Sequence, residues 1–194
     1  MRAVFGLTVA GGVGLLAAAV WPGLLEDLVF SIPLFCVSVP LLGVWFLLLV
    51  GLALRDLAAR PEPPARRRWW GVRSAAVMFG TMALLWFHVP QRVAFAFCAA
   101  DLRGLVDAAP VGEYRGGVEL GRKVGPYRVD RYAADERGGV YLRTATGPDG
   151  IGPDQMSYGF AFRPSGRGTP FGNARYRQRH LFGDWWVFAV SDDS

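Results

Sequence analysis

The sequence has few of the residues that hold metals or act as nucleophiles. Its 194 residues include two Cys, two His and a single Lys. Cys36 and Cys98 give no disulfide framework. The two histidines, His88 and His180, are separated along the chain, so neither a zinc site nor a Cys–His nucleophile pair is expected. Serine-nucleophile motifs and phosphate-binding glycine loops are also absent, so the sequence favours no enzyme and implies no cofactor.

Carboxylates are too sparse for a calcium loop. Residues 147–154 carry two Asp among Gly and Pro residues, five positions apart. A calcium loop needs six to eight oxygen ligands with an ordered spacing. This segment therefore predicts a turn and no metal site.

Positive charge is concentrated in one short segment. The net charge is +5, and residues 55–73 contribute six Arg against Asp56 and Glu62. Because this segment lies between apolar runs, membrane topology explains its charge better than nucleic-acid binding does. No nucleic-acid partner is expected.

Long apolar runs dominate the first half of the chain. Residues 3–25, 28–54 and 74–90 carry no charged side chain. A bilayer core is spanned by roughly 20 apolar helical residues, so the sequence predicts three transmembrane helices within residues 1–90 and a lipid bilayer as partner. The first run has an alternative interpretation as a cleaved signal peptide, with Arg2 before it and small residues at 17–19.

The arginine-rich segment also predicts an orientation. Positive loops stay in the cytoplasm, so residues 55–73 form the cytoplasmic loop, kept extended by its prolines. The N-terminus is then inside, and the C-terminal part lies outside a bacterial inner membrane. This is the predicted location of the protein.

Small residues recur every four positions in the first apolar run. Such a stripe lets a second helix approach closely, since packing drives helix association in membranes. It predicts a helix–helix partner that contacts Gly6, Ala10, Gly14 and Ala18.

The C-terminal part, residues 91–194, predicts a small extracytoplasmic α+β domain. Residues 91–107 place Phe95, Cys98, Leu102 and Leu105 on one helical face. Such a helix lies either on the membrane surface or in the core of the domain, and the second is favoured because a sheet with one apolar face needs a cover. Alternating and β-rich segments then predict about five antiparallel strands, at residues 127–132, 140–146, 156–162, 175–182 and 185–190. Phe160 and Trp186, both at apolar strand positions, are expected to be buried against the helix.

Three arginines at alternate positions form the one candidate ligand site. Arg175, Arg177 and Arg179 share one face of a predicted strand. A row of guanidinium groups suits a carboxylate, a phosphate or a lipid headgroup. The alternative is a solvated face that protects an edge strand.

The sequence leaves two functions open. The first is a membrane-anchored protein that presents an interaction or binding domain, with no catalytic activity. The second is an accessory subunit of a membrane transport or secretion assembly. Transport normally requires ionisable groups inside the membrane, and residues 28–54 offer none.

Overall fold

The computed structural model describes residues 2–23, 50–51, 54, 64–108, 117–135, 137–148, 155–166 and 168–191. These residues contain three named helices, α1 (Arg2–Ala18), α2 (Pro64–Trp86) and α3 (Val89–Ala108). They also contain six strands: β1 (Val118–Val124), β2 (Tyr127–Ala134), β3 (Val140–Pro148), β4 (Gln155–Phe162), β5 (Ala174–Phe182) and β6 (Trp185–Ser191). Cys36 lies outside the described residues.

All six strands form one antiparallel sheet in the order β1-β2-β3-β4-β6-β5. The two outermost hairpins, β1–β2 and β5–β6, close through two-residue connections in which Gly125 and Gly183 have positive φ. Because β6 pairs with β4, strand β5 becomes an edge of the sheet. The arginine row therefore lies on an edge strand.

Helix α3 covers one face of the sheet. Its apolar residues recur at spacings of three and four, which puts them on a single stripe. Phe95 packs its ring 5.1 Å from that of Phe160 and 5.2 Å from that of Trp185. Leu102 is buried in the same cluster. The amphipathic pattern over residues 91–107 corresponds to this helix.

The opposite face of the sheet is covered by the loop between β4 and β5. Phe171 of this loop stacks on Phe188, with ring centroids 6.0 Å apart. The Tyr141 hydroxyl donates to the Gly168 carbonyl at 3.2 Å and accepts from the Ser165 amide at 3.3 Å. The sheet is therefore buried on both faces near its centre.

Trp186 corrects the prediction for the last strand. Trp185 pairs with Phe162 and belongs to the α3-side cluster. Trp186 is only partly buried and packs on the other face. Successive strand residues alternate between faces, so the register after the Gly183–Asp184 turn decided which tryptophan met the helix. The prediction was right for Phe160 and wrong for Trp186.

Strand β1 was absent from the sequence prediction, which expected about five strands where there are six. Its residues are mostly exposed and show no apolar alternation. The ladder with β2 is also irregular between Glu119 and Arg122, where Gly121 has φ 61°. A bulged edge strand of this kind has little pattern to detect.

Helix α1 packs on α2 through a small residue outside the predicted stripe. Gly12 is buried, and a Cβ built on it would lie 2.8 Å from the Thr81 hydroxyl oxygen. Gly6 and Gly14 have no atom within 4 Å of an added Cβ, and Gly6, Ala10 and Gly14 are exposed. The helix partner predicted for that stripe stays a prediction.

The prediction of three transmembrane helices is wrong for the described chain. None of its helices is by itself long and apolar enough to cross a membrane. Only α2 and α3 taken together reach that length and composition, and they are bent by 54° at their junction. Most of the second predicted span, residues 28–54, lies outside the described residues.

Local breaks explain why the spans are shorter than predicted. Helix α1 ends at Ala18, and the turn after it contains Pro22 and Gly23, whose φ is 84°. Helix α2 begins at Pro64, so residues 64–73 of the predicted extended loop are helical and bring four Arg into the helix. It ends before His88, whose φ is 52°. The predicted integral membrane location and its orientation depended on these spans and are corrected with them.

Candidate functional site

A cavity of about 350 Å³ lies between the helices and one end of the sheet. Three parts of the chain form it: residues 19–23 after α1, the α2–α3 junction, and strands β4, β5 and β6. Its volume is that of a small-molecule site. Five of its lining residues turn polar side chains to this side of the sheet: His88, Gln91, Tyr158, Arg177 and Arg179.

Residues 19–23 are held against the sheet by specific contacts. The Trp21 indole Nε1 donates to the Pro126 carbonyl at 3.1 Å. The Tyr127 hydroxyl donates to the Val20 carbonyl at 3.3 Å. Gly23 approaches the Tyr158 ring so closely that an added Cβ would lie 2.5 Å from it. These contacts fix one wall of the cavity.

Two of the three predicted arginines line this cavity. Residues opposite each other on antiparallel strands point to the same face. Arg179 pairs with Val187, which packs against the α3-side cluster, and Arg177 pairs with Ala189. The Arg179 Nη2 donates to the Gln91 Oε1 on α3. Arg177 and Arg179 thus lie on the face of the sheet that α3 covers. The alternative that the sequence left open was a solvated face.

Arg175 is separated from the other two arginines. It is exposed, has φ 49° and does not line the cavity. The register of β5 against β6 shifts between Ala174 and Arg177. This irregularity breaks the alternation that the sequence pattern assumed, so only Arg177 and Arg179 share the site.

The charged side chains that the described residues bring to the cavity lining are those of two arginines. In the described part of the chain no Asp or Glu lines it. The pKa of His88 is lowered from 6.5, first by burial, then by Arg179 and then by Arg92. Guanidinium groups are charge-assisted donors for an anion, and Arg177 and Arg179 bring two of them to the cavity lining.

His88 should make folding stability depend on pH. Its folded pKa lies below its unfolded value of 6.5, so the unfolded chain binds more protons between these two values. Stability is therefore complete above about pH 6.5 and falls on acidification toward the folded pKa. His88→Asn suits the positive φ and should flatten this fall in urea melts between about pH 5 and 7.5. A variant that keeps the full fall would contradict the assignment.

The remaining candidate groups do not assemble into a second site. Burial raises the pKa of the Cys98 thiol to about 11, which keeps the thiol protonated. His180 Nε2 lies 2.8 Å from the Gly183 carbonyl oxygen, beside the β5–β6 turn. Among the described residues no group of three His, Cys, Asp or Glu is placed to hold a metal ion. Residues 149–154 of the rejected calcium loop lie outside that part of the chain.

Because comparison with other proteins found no match, function is argued from the site alone. No protein-family model, curated protein or solved structure matches this chain. Sequence reasoning also missed Gln91, although its position four residues before Phe95 puts a polar side chain on the buried face of α3. Such a polar residue in an apolar stripe is a local signal that could have revealed it.

Proposed function

We propose that this protein is a binding protein whose cavity takes up a small organic anion. The observation that carries the proposal is that Arg177 and Arg179 both line one cavity, beside Gln91 and His88. Guanidinium groups form two parallel hydrogen bonds with a carboxylate or a phosphate. The Arg179 contact with Gln91 holds one of these groups in place against α3.

Binding describes this site better than catalysis. Of the lining groups, His88 alone has an ordinary pKa near neutrality. General acid–base chemistry usually pairs two groups with different protonation states. The alternative function, a subunit of a transport or secretion assembly, stays a prediction.

The charge of the ligand provides the test. Benzoate and benzamide have nearly the same shape, but only benzoate is an anion. Titration calorimetry on the full-length protein should give a benzoate affinity at least about 10-fold above that for benzamide, because charge-assisted hydrogen bonds are stronger than neutral ones. Equal affinities, or no benzoate binding, would overturn the proposal.

A further inference from the structure

One side of α2 is an exposed apolar stripe. The opposite side packs on α1, where the Trp70 ring lies 5.5 Å from that of Phe5 and Thr81 is buried against Gly12. Residues at alternating spacings of three and four lie on one face of a helix. On the side away from α1 six exposed residues follow this spacing and are called the outer stripe here: Trp69, Val72, Ala76, Phe79, Ala83 and Trp86. The outer stripe contains no charged residue.

The outer stripe is large enough to be an interface. Trp86 is 80% exposed, Phe79 is 68% exposed and Trp69 is 56% exposed. An aromatic side chain has about 150–250 Å² to bury, so these three expose on the order of 450 Å². With the valine and the two alanines the stripe offers roughly 600 Å², which equals the largest apolar patch of a typical monomer. A patch of this size generally marks an interaction surface.

The spacing of the outer stripe fits a second copy of the same helix. Alternation of three and four residues is the seam of a two-helix coiled coil. The intervals along the stripe read the same in both directions, so in an antiparallel pair every stripe residue has a stripe residue of the other copy at its level. The layers are Phe79 with Ala76, Val72 with Ala83, and Trp69 with Trp86. In the first two layers a large side chain meets a small one, which lets the helices interdigitate.

The antiparallel arrangement is favoured over the parallel one by charge and by size. Arg73 is exposed beside the stripe, with its guanidinium carbon 4.7 Å from the centroid of the Trp69 ring. Parallel helices would place two Arg73 at one level, where like charges repel, and would place Phe79 beside Phe79. Antiparallel helices separate the two arginines by about 13 Å along the axis, which is more than the Debye length at physiological ionic strength.

We infer that two copies of this chain form a two-fold symmetric dimer through the outer stripes of α2, with the two helices antiparallel. Such an interface uses the same surface of both copies, as in most homodimers. Two outer stripes together bury about 1,200 Å², which is the lower end of the range for stable interfaces. The dimer does not depend on the proposed anion site, because the outer stripe does not line the cavity.

Sedimentation velocity of the full-length protein over a series of concentrations tests the dimer. The unmodified protein should form a species of twice the mass of the chain. Phe79→Glu puts two carboxylates into each interface and should weaken dimerisation at least about 100-fold. Phe97→Glu is the matched control, because Phe97 lies on α3 and is 87% exposed. It should leave dimerisation within about 2-fold of the unmodified protein. Circular dichroism shows whether both variants are folded.

Single-cysteine variants test the orientation of the two helices. Val72→Cys and Ala83→Cys are made separately in a Cys36→Ser background, where the remaining native thiol, Cys98, is buried. A disulfide needs Cα atoms within about 7 Å. A mixture of the two variants should therefore form cross-linked dimers on oxidation. Each variant alone should not, since its two thiols would lie about 16 Å apart along the antiparallel helices.

Three results would overturn this inference. A monomer at every concentration would show that no second copy covers the outer stripe. Equal effects of Phe79→Glu and Phe97→Glu would show that the copies meet elsewhere. Cross-linking of each cysteine variant with itself would show that the helices are parallel. None of these results affects the anion site, whose test is the comparison of benzoate with benzamide.

Discussion

Phe160→Ala is expected to lower the free energy of unfolding by about 3–5 kcal/mol. Phe160 is fully buried in the middle of β4. Its ring lies 4.8 Å from that of Tyr127 and 5.1 Å from that of Phe95. Truncation removes these contacts and leaves a cavity between the sheet and α3. The loss is a large part of the roughly 5–15 kcal/mol that stabilises a typical domain.

Phe97→Ala is the matched control for this measurement. Phe97 lies on α3 as Phe95 does, but its side chain is 87% exposed. Its truncation should change stability by less than about 0.5 kcal/mol. Urea melts of the full-length variants, followed by circular dichroism, compare the two. Equal losses would show that the sheet and α3 do not form the core described above.

The strands were largely predictable because their signals are local. Residues 156–162 alternate large and small side chains, and β4 lies there. The turn at Gly183–Asp184 was also visible in the sequence, since Gly183 needs a positive φ. Which of Trp185 and Trp186 faces α3 was not visible, because both are apolar and only the pairing register distinguishes them.

The lengths of the helices were predicted poorly because hydropathy does not show where the backbone leaves a helix. In the uncharged run from residue 3 to 25 the helix ends at Ala18, and the turn after it docks on the sheet through Trp21. The second break falls at Phe87 and His88, within another apolar run. In both places the chain leaves the helix to form a wall of the cavity.

The candidate site was predicted in part. The arginine row was recognised from its spacing, but its face could not be assigned from β5 alone. The cavity combines residues 19–23, the α2–α3 junction and β4–β6, which lie far apart in the sequence. Packing brings them together, and no local pattern encodes that packing.

The double variant Arg177→Gln/Arg179→Gln is expected to weaken benzoate binding at least about 100-fold. Each charge-assisted hydrogen bond contributes about 1.5–3 kcal/mol, and 1.4 kcal/mol corresponds to about a factor of ten. Arg177→Lys/Arg179→Lys keeps both charges but loses the planar fork of donors. Its affinity should lie between those of the glutamine variant and the unmodified protein.

A second double variant controls for net charge. Arg122 and Arg128 are exposed on β1 and β2 and do not line the cavity. Arg122→Gln/Arg128→Gln removes the same two positive charges without touching the cavity. Its benzoate affinity should stay within about 2-fold of the unmodified protein, since exposed charges that do not contact the ligand are screened by salt.

Titration of benzoate into these two glutamine variants of the full-length protein tests the anion site most directly. If the anion binds in the cavity, the Arg177→Gln/Arg179→Gln variant should lose benzoate binding. The Arg122→Gln/Arg128→Gln variant should retain it. Thermal melts of both variants confirm that each is folded. If both variants lose benzoate binding equally, the anion responds to the overall positive charge of the protein and the cavity is not its site.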